Sequence, residues 1–402
     1  MESGREVLPW TDTNPRMEQE RFIRAHLEGR ESFSSLCAGF GISRKTGYKR
    51  VARYEERGLE GLGDLSRAPH RHPNRVAGAV EEQVVSARQA HPTWGPRKLV
   101  AWLQERYPQT QWPAASTVGN ILDRRGLTQP RRKVRRTPAW SEPFAQCQGS
   151  NQVWCVDFKG QFRTGDGEVV YPLTLEDAHS RYLLCCQGLP GARGAGVRRS
   201  LAGVFREYGL PEVIRSDNGP PFASVGLGGL SQLAVWWVKL GIVPERIEPG
   251  HPEQNGRLER LHRTLKAETA NPPSRNRRAQ QEAFDEFRRQ YNQERPHEAL
   301  GQEAPAGHYQ PSRREYPARI SSPEYPAGAQ VRRVRSNGQI KWQGDRIYLS
   351  ETLVGEPVGL VAQDDRYLSI RFGPLEIGQL DTYTKRVLRT PTKVLPMSLV
   401  YM

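Results

Sequence analysis

Three acidic residues stand where they could do metal-assisted chemistry. Asp157 lies in the apolar run Val153–Phe158, Asp217 follows the strand candidate 212–216 in S-D-N-G, and Glu259 lies in G-H-P-E-Q-N-G-R-L-E-R-L-H-R-T-L-K, residues 250–266. Carboxylates brought together without a cation raise one another's pKa, so acids gathered in a basic chain favour a bound ion. Mg2+ prefers oxygen ligands and keeps several waters, so one or two protein carboxylates per ion suffice. Two ions about 3.5–4 Å apart can share three carboxylates, one activating an attacking hydroxyl and the other steadying a leaving oxygen.

The elements that must position these acids can be read from the pattern. Residues 250–266 begin as a turn-rich loop, with Gly250, Pro252, Asn255 and Gly256, and continue as a helix. Leu258, Leu261 and Leu265 form a stripe for burial, while Glu259, His262, Arg263 and Lys266 fall on another face. Taken alone, that second face could equally be a solvated surface laced with ion pairs. Upstream, 153–158, 169–175 and 181–189 predict three strands, with a hairpin turn at Gly165-Asp166-Gly167. Residues 196–208 predict a helix, 212–216 a strand, the segment of Leu233, Trp236, Trp237 and Leu240 a helix, and 242–247 a strand. Antiparallel strands followed by alternating helix and strand imply an α/β sandwich with a mixed sheet.

Lys and Arg exceed Asp and Glu by fifteen (59 against 44) in 402 residues, which points to a polyanionic partner. No run of eighteen apolar residues and no apolar signal core occur, so a soluble, intracellular protein is expected. Five cysteines without a C-x-x-C read as reduced thiols, three of them in apolar runs, and the histidines lack zinc spacing.

Residues 17–57 predict three helices, the last capped by Ser43, with Leu36, Phe40, Ile42, Val51 and Tyr54 as core. A short helix, a glycine turn and a basic helix form the helix-turn-helix pattern, with Arg44, Lys45, Lys49, Arg50 and Arg53 facing DNA; a plain basic hairpin is the alternative. Residues 64–75 read as an extended linker. A second helical unit at 76–127 carries Val80, Val84, Val85 and Ala87, then Leu99, Val100 and Leu103, then a third helix capped by Ser116 and ended by Gly126. Seven cations and no acid fill the thirteen residues 124–136, among them Arg131, Arg132 and Lys133 in a basic linker at 128–150. A charged helix at 275–291 ends in Y-N-Q-E-R-P-H-E-A-L. After a Pro-rich link at 311–326, alternating residues with turns at Asn337-Gly338, Gly344-Asp345 and Asp364-Asp365 predict a small β-barrel at 327–390, and 391–402 is a tail.

The Asp in a strand, the second Asp in S-D-N-G and the Glu in H-P-E-Q-N-G-R-L-E-R-L-H-R-T-L-K resemble the catalytic core of DDE transposases and retroviral integrases. Y-N-Q-E-R-P-H-E-A-L followed by A-P-A-G-H-Y is similar to the segment that closes this core in insertion-sequence transposases. The resemblance extends over most of the chain. It implies a multidomain protein: helix-turn-helix domains at 1–63 and 76–127, an RNase H-like core at 151–310 and the small barrel.

It also implies a transposase that binds terminal inverted repeats, frees 3′ hydroxyls and joins them to target DNA. Two Mg2+ ions per site, replaceable by Mn2+, would be held by Asp157, Asp217 and Glu259. A homo-oligomer on double-stranded DNA is expected, in the bacterial cytoplasm at the nucleoid, with no membrane partner; an accessory ATPase is left open. Glu253 leaves 35 residues after Asp217, the family's familiar spacing, and Glu259 leaves 41. Glu259 is nevertheless the match, because the family's Glu stands three residues after the loop Gly, here Gly256; an insertion in A-S-V-G-L-G-G-L-S-Q (223–232) accounts for the extra length. Lys266 matches a family lysine that contacts the DNA end, and Arg263 is its neighbour. Lys159, Asp177 and His262 are further candidates for the site, His262 more simply a helix-surface residue. A transcriptional regulator would need only the helix-turn-helix units, and a plain RNase H-like nuclease would need only the acids.

Overall fold

The computed structural model describes residues 15–63, 76–128, 147–248, 254 and 256–389. The linker 64–75, the basic residues Arg131, Arg132 and Lys133, the loop residues 249–253 with Glu253, Asn255, and the tail lie outside the described residues. The chain forms two compact units, Met1–Arg75 and Val76–Met402.

In the first unit, α1 (Pro15–Glu28), α2 (Phe33–Gly39) and α3 (Arg44–Arg57) pack around Phe22, Ile23, Leu36, Cys37 and Leu62. Ser32 caps α2 and Ser43 caps α3, each hydroxyl accepting from the amide three residues on. Gly47 lets α3 close onto α2: a Cβ there would lie 2.7 Å from the Cys37 sulfur. Arg44, Lys45, Tyr48 and Lys49 remain exposed on α3.

The second unit starts with α4 (Gly78–Ala90), α5 (Pro96–Arg106) and α6 (Ala115–Arg124), closed over Val84, Trp94, Leu99, Leu103, Val118, Ile121 and Leu122. Ser116 is not the cap of α6. Ala114 occupies that position without a side-chain bond, and Ser116 lies inside the helix.

The central sheet contains β1 (Val153–Phe158), β2 (Phe162–Arg163), β3 (Val169–Asp177), β4 (Leu183–Leu189), β5 (Val213–Ser216) and β6 (Val243–Arg246). β3 pairs antiparallel with β1, β2 and β4, while β1–β5 and β5–β6 are parallel, so the sheet is mixed. α7 (Gly194–Tyr208) and α8 (Gln232–Lys239) cover the face that receives Trp154, Val156, Leu173 and Leu175. α9 (Gly256–Thr269) and α10 (Arg277–Gln293) cover the other, with Val153, Cys155, Leu258, Leu261, Leu265, Phe284 and Phe287. This is the strand period of two, seen as alternate residues of β1 serving opposite layers.

The segment 311–326 is a strap tied to the core. Leu210 N–H donates to the Arg314 carbonyl, and the Arg314 guanidinium donates to the carbonyls of Pro211, Leu240 and Gly241. Beyond it lie β7 (Gln330–Arg333), β8 (Gln339–Trp342), β9 (Asp345–Tyr348), β10 (Pro357–Ala362), β11 (Tyr367–Phe372), β12 (Leu375–Asp381) and β13 (Val387–Leu388).

The closed barrel expected from their alternation does not form among the described residues. β13-β12-β11-β10-β7 make an open antiparallel sheet, and β8–β9 a separate hairpin. The physical reason is that the sheet buries its apolar residues against the central α/β core. Leu360, Ile370, Ile377 and Leu380 belong to the same cluster as Trp236, Trp237 and Leu227. The turn of the hairpin is Gln343-Gly344, both at positive φ, and Asp345 already pairs with Trp342.

Candidate active site

Asp157 and Asp217 are brought level by strand register. β1 and β5 pair in parallel at Val153–Val213, Trp154–Ile214 and Cys155–Arg215, an offset of sixty that carried two residues further reaches Asp157 and Asp217. Both acids thus sit at the carboxyl ends of neighbouring parallel strands, where open α/β sheets place their ligands. Asp157 shares its side of β1 with Val153 and Cys155, so it faces α9, whose first turn carries Glu259. Glu259 is exposed, whereas the Asp157 side chain is 22 % exposed.

The two aspartates are held differently. Asp157 Oδ1 accepts from the Phe158 amide at 2.7 Å. Asp217 Oδ1 accepts from the Gly219 amide at 3.2 Å, and Asn218 pins the turn by donating to the Ile247 carbonyl at 2.8 Å. Burial, then the Asp217 charge and more weakly Glu259, push the Asp157 carboxyl up to about 7, against the pull of the Phe158 amide and Lys159. Burial raises Asp217 as well. Carboxyls crowded and dehydrated in this way gain from a cation.

Among the described residues no three His, Cys, Asp or Glu side chains converge as a ready-made metal cage. The donor set nevertheless fits a hard cation that retains its waters, since two oxygen-bearing carboxylates per ion are enough.

His262 is not a surface residue. It is 5 % exposed, its Nε2 lies 2.7 Å from Thr174 Oγ1 and its Nδ1 3.9 Å from Asp157 Oδ2. Burial, with Lys159 nearby, holds its pKa down to about 4, so the ring is neutral near pH 7. The overlooked signal was its place four residues after Leu258, on the buried stripe. Thr174, also missed, stands opposite Asp157 across the β1–β3 pair, a relation that requires the register.

Asp177 does not enter the site. It is fully buried near the far end of the pair, accepting from Asn151 N, Ser180 N and Ser180 Oγ. Lys159 does lie close enough for its charge to act on both Asp157 and His262.

Arg263 and Lys266 are exposed on α9. On α3, Arg44, Lys45 and Lys49 are exposed, Arg53 is half-buried, and Arg50 donates to the Leu62 carbonyl at 3.0 Å, which gives it a part in the fold. Burial pushes the Cys155 and Cys185 thiols up to about 12, consistent with inert, reduced sulfurs. No helix among the described residues is long and apolar enough to cross a membrane.

Comparison with known proteins agrees with this architecture. Residues 148–252 and 240–305 match families described as integrase core domain, residues 18–70 a helix-turn-helix domain and residues 46–122 a homeodomain-like domain. The central α/β unit is thus similar to integrase core domains, and the helical units before it to helix-turn-helix domains.

An uncharacterized 39.2 kDa protein of insertion element IS476 from Xanthomonas euvesicatoria is 29% identical over 252 residues, covering 61% of this chain and 69% of that protein. An uncharacterized 31.7 kDa protein of IS407 from Burkholderia multivorans is 30% identical over 183 residues, 45% of this chain and 64% of that one. Both relatives come from bacterial insertion elements, and this chain is similar to them.

Solved structures similar to it include the HTLV-2 integrase catalytic core domain in complex with magnesium, with TM-score 0.32, 15% identity, and 40% of this chain and 99% of that chain covered. A simian T-cell lymphotropic virus intasome in complex with PP2A regulatory subunit B56 gamma gives TM-score 0.34, 15% identity, and 77% and 99% coverage.

Proposed function

We propose that this chain is a transposase that binds the terminal inverted repeats of its element, frees 3′ hydroxyls at the ends and joins them to target DNA. The observation that supports the reading is the β1–β5 register, which carried past its last pair sets Asp157 level with Asp217, with Glu259 in the first turn of α9 near enough for its charge to act on Asp157. Asp157, Asp217 and Glu259 would hold the divalent cations, Mg2+ or in its place Mn2+, two per site. Such ions supply electrostatic stabilisation of the phosphoryl transfer and lower the pKa of the attacking hydroxyl.

The protein's own groups position the reactants. The strand ends and the Gly219 amide fix the aspartates, and Arg263 and Lys266 on α9 present cations to the DNA backbone beside Glu259. Arg44, Lys45 and Lys49 on α3 would contact the repeat, with Arg131, Arg132 and Lys133 neutralising backbone. Because two ends must be joined, the active form is a homo-oligomer assembled on double-stranded DNA, in the cytoplasm at the nucleoid.

The test is an oligonucleotide assay on DNA flanking the gene, with Mg2+ present. Glu259→Gln, Asp157→Asn and Asp217→Asn should each abolish end cleavage and joining while DNA binding survives, and Glu253→Gln should keep most activity. Activity lost with Glu253→Gln and kept with Glu259→Gln would reassign the third acid.

A further inference from the structure

Resting on that reading, we propose that His262 and Thr174 form a positioning pair that fixes Asp157 and keeps its Oδ2 oxygen open to the cation. Thr174 is fully buried on β3, directly opposite Asp157, and its hydroxyl donates to the Asp157 carbonyl oxygen at 3.2 Å. The same hydroxyl lies 2.7 Å from His262 Nε2, a hydrogen bond whose direction follows the ring tautomer.

His262 Nδ1 stands 3.9 Å from Asp157 Oδ2, beyond hydrogen-bond distance. The ring does not claim Oδ2, and its place there keeps a lysine or arginine from pairing with that oxygen. The other oxygen, Oδ1, is already held by the Phe158 amide. Asp157 is thus fixed through its carbonyl and one carboxyl oxygen, while the second is unclaimed by any donor at hydrogen-bond distance among the described residues. The helix that bears Glu259 supplies the ring, so the pair also ties α9 to the β1–β3 ladder at the site itself.

Outer partners of metal-binding carboxylates and histidines typically change metal affinity when removed. The experiment is Mn2+ binding to the full-length protein without DNA, followed by electron paramagnetic resonance of free Mn2+, with circular dichroism to confirm folding. His262→Leu and Thr174→Val should each weaken Mn2+ binding about 10-fold. His262→Gln, which returns an N–H near the Nε2 position, and Thr174→Ser should bind close to wild type. The double variant H262L/T174V should be no worse than either single, because the two residues act as one unit.

Wild-type Mn2+ affinity in H262L and T174V, or H262Q as poor as H262L, overturns the proposal, the latter outcome marking simple packing. If H262L does not fold, T174V against T174S decides. Asp157→Asn separates the two levels of the argument. Retained Mn2+ binding there removes the metal-site reading itself, whereas binding lost in D157N but kept in H262L and T174V removes only the positioning pair.

Discussion

On one flank of the central α/β core, α4–α6 meet it through charges; on the other, the C-terminal strands share its hydrophobic cluster. In the first seam Thr93 donates to Glu268, Lys98 to the Pro296 carbonyl, and Arg97 pairs with Glu298 at 3.1 Å. Arg295, which pairs with Glu268 at 2.6 Å, also lies 5.8 Å from the Trp94 ring centre. In the second seam the segment 223–232 supplies the contact. Leu227 packs on Gly378, Gly228 on Ile377, and Val238 of α8 on Gly373. A polar seam responds to salt and pH, while an apolar one is set by shape and buried area. The α4–α6 module thus has an adjustable attachment, and the C-terminal sheet is built in.

The largest effect is expected where the apolar seam is broken. Leu227 is 2 % exposed and belongs to the cluster that spans both sides. Leu227→Ala should cost about 2–4 kcal/mol, the usual range for a buried leucine truncated in a packed core. Urea unfolding followed by tryptophan fluorescence and by circular dichroism should still give one coincident transition for the second unit. Separate transitions for the core and the C-terminal sheet would show that the cluster is not one cooperative core.

The segment 223–232 shows where reading the sequence stops. Its glycines suggest a loop. Its contact with Ile377 and Gly378 is a relation between distant segments that no local pattern encodes. The same limit explains the barrel. Alternation reveals the strands and their apolar side but not what that side packs on, and here it packs on the core.

Local features were legible for the converse reason. Val153–Phe158 is buried on both faces and reads as a continuous apolar run, and Ser43 caps α3 through a bond three residues away. The aspartates were legible by type and setting, and their alignment needed the parallel register. His262 was misplaced because a polar residue on a leucine stripe looks like the edge of a solvated face until its partner is known.

An intermediate effect is expected at Glu268. Its pair with Arg295 is 20 % and 9 % exposed at the two side chains, so Glu268→Gln leaves a mostly buried guanidinium without its counter-charge. A loss of about 1–3 kcal/mol is expected, falling mainly on the attachment of α4–α6. Native-state proteolysis should cut within 76–128 faster in the variant, with the central sheet unaffected. Equal acceleration throughout the second unit would mean that the polar seam is as cooperative as the apolar one.

Acidification tests the same seam without mutation. His297 Nε2 is buried without a partner, and burial, with Lys98, Arg295 and Arg181, holds its pKa down to about 3 from 6.5. The folded state therefore binds fewer protons than the unfolded one, and stability is lost as pH falls from 6.5 toward 3. Lys98 has the same sign in another window. Burial lowers it to about 8 from 10.5, so its contribution rises between those values. Proteolysis within 76–128, corrected for the protease's own pH dependence, should be faster at pH 5 than at pH 7, with contacts of the C-terminal sheet little changed. An unchanged rate would mean that His297 is not buried against this seam in solution.

The smallest effect distinguishes the two kinds of charge contact within the polar seam. Arg97 and Glu298 lie 3.1 Å apart, yet their side chains are 75 % and 74 % exposed. Water screens such a pair, and fixing two long side chains costs entropy that offsets most of the attraction. Arg97→Ala should therefore change stability by no more than about 0.5 kcal/mol, and that small change should vanish in high salt. Glu268→Gln should keep most of its effect there, because its partner is shielded from solvent. A double-mutant cycle of Arg97→Ala with Glu298→Ala, measured at low and high salt, reads the pair directly. A coupling that is large and insensitive to salt would place Arg97 among the buried contacts that attach the module, and would make the seam less adjustable than its exposure implies.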